Sequence, residues 1–216
     1  MEKSSQQYES MLSQRQERMR FFSHLLGLVF IVFFGPFILM KEELNTPLKV
    51  GLLIYVISFI LLFTASSIYH YVSDKNSKQI WRKADHMAIY LFIAGSNAPL
   101  LLGYANHSWG WILLTVMYGL VFAGIIWKVL VIDKNDWISL LLYLGMGWLG
   151  VLTVILTFSQ MYWLTLALIL LGGLLYTIGT YFYRNDHRLW YHTIWHTFVL
   201  AAAITHFGAI FYQISY

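Results

Sequence analysis

Residues 190–207, WYHTIWHTFVLAAAITHF, form an apolar run that carries His192 and His196. Residues four apart on an α-helix lie about 6 Å apart along one face, so the two imidazoles project side by side. An imidazole pair among apolar residues needs partners for its nitrogens. A divalent metal ion can provide them, and so can hydrogen bonds to neighbouring helices. Metal binding is favoured over hydrogen bonding if other possible ligands lie at the same depth in the membrane.

The rest of the chain has the composition of an integral membrane protein. Of its 216 residues, 59% are hydrophobic and 11% are charged, whereas soluble domains are about 25% charged. Seven apolar runs are each long enough to cross about 30 Å of hydrocarbon. They are residues 21–40, 49–72, 85–104, 109–131, 137–158, 161–183 and 190–212. Their short connections predict an all-α bundle of seven transmembrane helices, with residues 21–216 as its single domain.

The basic residues fall mostly on one side of this predicted bundle. Of the 14 Lys and Arg residues, only Lys41 and Lys49 lie on the other side. The rest are Lys3, Arg15, Arg18, Arg20, Lys75, Lys78, Arg82, Lys83, Lys128, Lys134, Arg184 and Arg188. Because Lys and Arg favour the cytosolic side, we expect a cytosolic tail over residues 1–20 and an external C-terminus, in the plasma membrane. The net charge of +4 then reflects membrane topology rather than nucleic-acid binding.

Candidate partners for the histidine pair come from two other predicted helices. His70 lies near the cytosolic end of the second helix, four residues after Ser66, so the two share a face. Asp85 begins the predicted third helix on the same side, where it can either cap the helix or serve a metal site. The seventh helix starts from the cytosol, which brings His192 and His196 to this depth. Since the chain has no cysteine, any metal must be held by His, Asp or Glu.

The other histidines fit different roles. His24 could be a metal ligand, but it stands alone near the cytosolic end of the first helix, which favours a hydrogen-bonding role. His86 lies on a different face from Asp85, and His187 lies in a loop. His206 lies about 21 Å beyond His192 along the seventh helix, so it cannot join the same site. Helices four to six are interpreted as scaffold. Their glycines are expected at helix contacts, at positions 145, 147, 150, 172, 173 and 179.

Three neutral imidazoles would leave the fourth position of a zinc ion open, as in catalytic zinc sites. The pKa of a water bound there falls to about 7. Asp85 could orient this water, and Ser66 could position a substrate or an oxyanion. The same cluster would also suit a structural zinc that joins the second, third and seventh helices. A transporter is disfavoured because the ionisable residues cluster at one end. A retinal protein is disfavoured because the seventh helix has no lysine.

These segments resemble the hemolysin III family, within the superfamily of progestin and adiponectin receptors and alkaline ceramidases. The matching segments are TASSIYH at 64–70, ADHMAIYLFIAGS at 84–96 and YHTIWHTFVLAAAITHF at 191–207. The resemblance implies seven transmembrane helices and a cytosolic N-terminus. It also implies zinc ligands at His70, His192 and His196, with Asp85 in contact with the zinc-bound water.

The resemblance to ceramidases and adiponectin receptors implies a zinc-dependent hydrolase of lipid amide or ester bonds, whose substrate enters laterally from the bilayer. The alternative is a non-enzymatic regulator of membrane state, or a lytic protein, with structural zinc. Glu17 and Ser23-His24 match the N-terminal motif of the family, but Phe21 replaces its Asn. No role is therefore predicted for that motif.

Overall fold

A computed structural model describes residues 2–105, 107–130 and 136–216, which form seven α-helices and no β-strand. The helices are α1 (Glu2–Leu39), α2 (Thr46–Tyr71), α3 (Lys75–Tyr104), α4 (His107–Leu130), α5 (Asp136–Thr157), α6 (Trp163–Arg184) and α7 (Tyr191–Gln213). A 3₁₀ turn, Phe158–Gln160, follows α5. Each helix is long and apolar enough to cross a membrane. The prediction of an all-α, seven-span membrane bundle is confirmed.

Side-chain caps fix the starts of α2 and α3. The side chain of Asn45 accepts a hydrogen bond from the backbone N–H of Leu48 at 2.9 Å, and Pro47 occupies the first turn of α2. The carboxylate of Asp74 accepts a hydrogen bond from the N–H of Ser77 at 2.9 Å. Each acceptor satisfies an N–H group that has no partner within its own helix.

The third helix begins at residue 75 rather than at residue 85, because Asp74 caps it there. The intervening residues are exposed or half-buried, so they can be helical without being apolar. Asp85 therefore lies inside α3 and does not cap it, and the prediction that Asp85 begins the third helix is wrong. The sequence signal for the true start was Asp74 itself, a favoured N-cap residue.

The first helix also begins earlier than the predicted apolar span. α1 starts at Glu2, so most of the segment expected as a tail, residues 1–20, continues the first span as one helix. The remaining helix limits lie close to the predicted ones. The predicted end of the fourth span at residue 131, and Lys134 in the following loop, lie outside the described residues.

The tightest packing lies between α2 and α3. Phe59 and Phe63 of α2 stack with their ring centroids 4.6 Å apart, and Phe92 of α3 lies 5.2 Å from Phe59. Gly51 lets the two backbones approach, since a Cβ at this position would lie 2.7 Å from the carbonyl oxygen of Ala98. α7 packs against both α1 and α6. The first, second, third and last helices therefore surround the bundle end at which α2 ends and α7 begins.

The glycines of α5 and α6 only partly meet the expectation of helix contacts. A Cβ at Gly172 would overlap the ring of His206, and one at Gly179 would lie 2.9 Å from the ring of Trp195. At Gly145, Gly147 and Gly173 a Cβ would have no neighbour within 4 Å. The expectation is therefore wrong for these three positions, because their helix faces carry no packed neighbour.

Candidate metal centre

Three histidines from two helices meet at one end of the bundle. His70 lies in the last turn of α2, and His192 and His196 lie in the first two turns of α7. One ring nitrogen of each lies within 4.8 Å of the others. His70 and His196 are buried, and His192 is half-buried. The structure thus brings together the three residues that the sequence groups by depth, at a spacing that could hold one metal ion.

Carboxylates approach two of these imidazoles from outside the cluster. The Nδ1 atom of His70 lies 2.8 Å from a carboxylate oxygen of Glu17 on α1. The Nδ1 atom of His192 lies 3.6 Å from a carboxylate oxygen of Asp186, in the loop before α7. The interaction with His192 lowers the pKa of Asp186 below its ordinary value, so this carboxylate is ionised at neutral pH. Metal-binding histidines commonly have such outer partners.

The third imidazole has a histidine as its outer partner. Nδ1 of His196 contacts Nε2 of His24, which projects from α1 and is buried. On the inner side, Nε2 of His196 and Nε2 of His70 are buried and have no hydrogen-bond partner among the described residues. Buried polar atoms are nearly always paired. Two orphaned imidazole nitrogens within such a cluster fit a metal ion, and a set of imidazole ligands suits Zn²⁺.

Asp85 and Ser66 lie in the wall of a cavity that also contacts His192 and His196. Both side chains are buried, Asp85 on α3 and Ser66 on α2, one turn before His70. Asp85 is not part of the cluster of mutually close ligand atoms. The structure therefore places Asp85 and Ser66 beside the histidines, as cavity-wall residues.

This cavity has a volume of about 560 Å³ and is lined mainly by apolar side chains of α3, α5, α6 and α7. It extends along α7 from His192 to His206 and beyond, a distance of about 21 Å at the rise of an α-helix. Among the described successive helix pairs, α5 and α6 contact each other least. The cavity is therefore long and mainly apolar, with Ser66, Asp85, His192 and His196 at one end and loosely packed helices at its side.

The remaining histidines lie outside the cluster. Nε2 of His206 lies 3.2 Å from the carbonyl oxygen of Ile169 on α6, in the half of α7 remote from His192. Nδ1 of His86 lies 2.7 Å from the carbonyl oxygen of Arg82. His187 is exposed. The contact that His24 makes with His196 fits the hydrogen-bonding role expected for it.

Sequence reasoning gave no role to Glu17, although a signal for it was present. Glu17 and His24 are seven residues apart, which is two helical turns, so on a continuous helix they share a face. In the structure, Glu17 reaches His70 and His24 reaches His196. Starting the first helix at residue 21 concealed this shared face.

Comparison with known proteins places the chain in a family. Residues 12–207 match the family model described as Haemolysin-III related. The Hemolysin-3 homolog of Bacillus subtilis (strain 168) is 35% identical over 164 residues, which are 76% of this chain and 77% of the relative. Hemolysin-3 of Bacillus cereus is 33% identical, with 76% of this chain and 75% of the relative covered.

A mammalian protein also matches the chain. The Monocyte to macrophage differentiation factor of Homo sapiens is 33% identical over 172 residues, covering 75% of this chain and 69% of the relative. The family match spans the three clustered histidines and their outer partners. Together with the seven apolar helices, these matches show that the chain is a multi-pass membrane protein of the haemolysin-III-related family.

Proposed function

We propose that this protein binds one Zn²⁺ through His70, His192 and His196 and hydrolyses an amide or ester bond of a membrane lipid. The observation that carries the proposal is the position of the histidine cluster. It contains two buried ring nitrogens without partners among the described residues, and it lies at one end of a long, mainly apolar cavity. Clefts of this kind, mostly apolar with a few convergent polar groups, are typical ligand sites.

The proposed chemistry assigns a role to each polar wall residue. Bound Zn²⁺ would supply the Lewis acid and the activation of water that hydrolysis at neutral pH requires. Asp85 would accept a proton from the attacking water and deliver it to the leaving amine or alcohol. The hydroxyl of Ser66, buried in the cavity wall, would donate a hydrogen bond to the carbonyl oxygen of the scissile bond as negative charge develops there.

The shape of the cavity supports a lipid substrate. Its walls are apolar over most of their length, so burial of an acyl chain there is favourable. The sparse contact between α5 and α6 supports lateral entry from the bilayer. A lipid bound in this way would have its chain among α3, α5, α6 and α7 and its polar linkage beside the histidines.

The name of the Bacillus cereus relative, Hemolysin-3, suggests a second candidate function. In that case the protein lyses cells or regulates the state of the membrane, and the metal only joins α2 to α7. Ligands on two different helices suit such a structural ion. This candidate predicts metal binding without lipid cleavage.

The test is hydrolysis by the purified, zinc-loaded protein in lipid nanodiscs. The panel contains ceramides, other N-acyl amides and phospholipid esters, and mass spectrometry detects the released fatty acid. We expect the wild type to cleave at least one class. Asp85→Asn should lower the rate by about 100-fold or more and keep its zinc content. Asp74→Asn is the matched control, since Asp74 lies on the surface at the start of the same helix.

Two results would contradict the hydrolase. One is a zinc-loaded wild type that cleaves no lipid of the panel, and the other is an Asp85→Asn variant that cleaves as fast as the wild type. Lysis of erythrocytes by a zinc-loaded protein that leaves all lipids intact would establish the second candidate instead.

A further inference from the structure

We propose that Glu17 is a positioning residue of the metal centre, which orients His70 through its Nδ1 atom. The proposal rests on the metal site described above. It assigns a task to a segment of α1 that lies before the first predicted membrane span. Glu17 would not touch the metal, the substrate or the reacting atoms. It would act through the ring of His70.

The contact between Glu17 and His70 has the geometry of a carboxylate–histidine–metal relay. The two atoms, Oε2 of Glu17 and Nδ1 of His70, lie 2.8 Å apart. A carboxylate can only accept this hydrogen bond, so the imidazole must carry its proton on Nδ1. That tautomer leaves a lone pair on Nε2, the buried nitrogen without a partner. Such an outer carboxylate fixes the ring orientation and raises the basicity of the ligand.

Burial makes this hydrogen bond strong. The side chain of His70 is 1% exposed and that of Glu17 is 27% exposed. A charge-assisted hydrogen bond away from water is roughly twice as strong as a neutral one. The energetic effect on the ring therefore exceeds that of an equivalent contact at the surface.

Glu17 also forms ion pairs with two cations. The Nζ atom of Lys78 on α3 lies 3.2 Å from Oε2, the oxygen that contacts His70. A guanidinium nitrogen of Arg20 lies 3.4 Å from the other oxygen. Nε of Arg20 also donates to the hydroxyl of Thr193 on α7, at 3.4 Å. The carboxylate therefore contacts side chains of α1 and α3 as well as a ligand on α2.

The outer contacts of His192 and His196 are weaker, because one is longer and the other involves no carboxylate. Asp186 lies 3.6 Å from His192, and its side chain is 53% exposed. His24, the partner of His196, carries no carboxylate. Among the described residues, Glu17 is therefore the carboxylate at hydrogen-bond distance from an imidazole of the cluster. Of the three outer partners, Glu17 should therefore have the largest effect on metal affinity.

The experiment measures the zinc dissociation constant of the full-length protein in nanodiscs by competition with a chromophoric chelator. Glu17→Ala should weaken zinc binding by about 10- to 100-fold. Glu17→Gln should weaken it less, because the amide oxygen still accepts from Nδ1 but carries no charge. Lys78→Met is the matched control. It removes the other partner of the same oxygen and leaves the contact with His70, so its zinc affinity should stay near that of the wild type.

A spectroscopic readout separates positioning from a purely structural role. The protein is loaded with Co²⁺, whose visible absorption reports the geometry of the ligands. Glu17→Gln should shift these bands, while the Tm of its metal-free form stays close to the wild-type value. Lys78→Met should leave the bands unchanged. A role in holding α1 against α3 alone would instead change the Tm of both variants and neither spectrum.

The possible outcomes are distinct. If Glu17→Ala binds zinc as tightly as the wild type while His196→Ala loses it, the role of Glu17 is overturned and the metal site stands. If Lys78→Met weakens zinc binding as much as Glu17→Ala, the α1–α3 ion pair is responsible and the positioning role is again overturned. A wild type that binds no zinc overturns this inference together with the proposed function.

Discussion

The imidazole rings of His70 and His196 lie 4.7 Å apart, centroid to centroid, with their planes at 84°. One ring belongs to the second helix and the other to the last, so a metal ion held by both would join distant parts of the chain. A ligand that binds only the folded state stabilises it by mass action. The stability of the bundle should therefore depend on the metal.

Removal of the metal should lower the thermal stability of the wild type. At a free zinc concentration of 100 times the dissociation constant, binding contributes about 2.7 kcal/mol. We expect the Tm in detergent to rise with added Zn²⁺ and to fall again with a chelator. His196→Ala should abolish this response. His206→Ala on the same helix should keep it, because His206 contacts Ile169 rather than the cluster. A zinc response in His196→Ala would contradict the assignment of the site.

A bulky side chain in the cavity should block the lipid site without disturbing the metal. Gly147 lines the cavity, and a Cβ there would meet no neighbour within 4 Å. Gly147→Trp should lower lipid hydrolysis by about tenfold or more by displacing the substrate, with the zinc content unchanged. Gly145→Trp is the control. Gly145 has the same open surroundings but does not line the cavity. Equal activity of the two variants would contradict this role for the cavity.

Close contact of α2 with α3 should make Gly51 intolerant of a side chain. A Cβ at this position would lie 2.7 Å from the carbonyl oxygen of Ala98 and 2.8 Å from Cα of Pro99. Both are backbone atoms, so they cannot rotate away. Gly51→Ala should destabilise the protein by about 1–3 kcal/mol, measured by SDS-induced unfolding in mixed micelles.

Gly119→Ala is the matched control for that measurement. A Cβ at Gly119 would have no neighbour within 4 Å, and alanine favours a helix over glycine by about 1 kcal/mol. We expect unchanged or slightly raised stability. A Gly51→Ala variant as stable as Gly119→Ala would show that the two backbones can separate without loss.

The distribution of Lys and Arg predicts a cytosolic N-terminus and an external C-terminus in the plasma membrane. A fusion of alkaline phosphatase to the C-terminus should be active in bacteria, because this enzyme folds only outside the cytosol. A fusion of green fluorescent protein at the same position should be dark. The opposite pair of results would reverse the orientation and place the histidine cluster at the external face.

The convergence of the three histidines was predictable from helix rise alone. His70 precedes the end of its span, while His192 and His196 follow the start of theirs, and antiparallel helices bring these ends to one level. Long apolar spans also fix the number of helices with little ambiguity. The sequence did not predict that Glu17 approaches the cluster, because the start of its helix was placed at residue 21.

The limits of α1 and α3 were misjudged for one physical reason. Apolar spans mark where a helix must cross hydrocarbon, but a helix continues into water for as long as its polar residues are capped and solvated. The cap at Asp74 extends α3, and the same kind of extension in α1 carries Glu17 to His70. The start of a helix beyond its apolar span is therefore better predicted from capping residues than from hydropathy.

The division of the three clustered histidines between α2 and α7 has a consequence for biosynthesis. The ribosome makes α1 first and α7 last, and two of the three clustered histidines belong to α7. A nascent chain that ends before residue 191 displays His70 and Glu17 but has no companion imidazoles for them. Ion capture would therefore have to wait until translation is complete, and a truncated product could not acquire the ion.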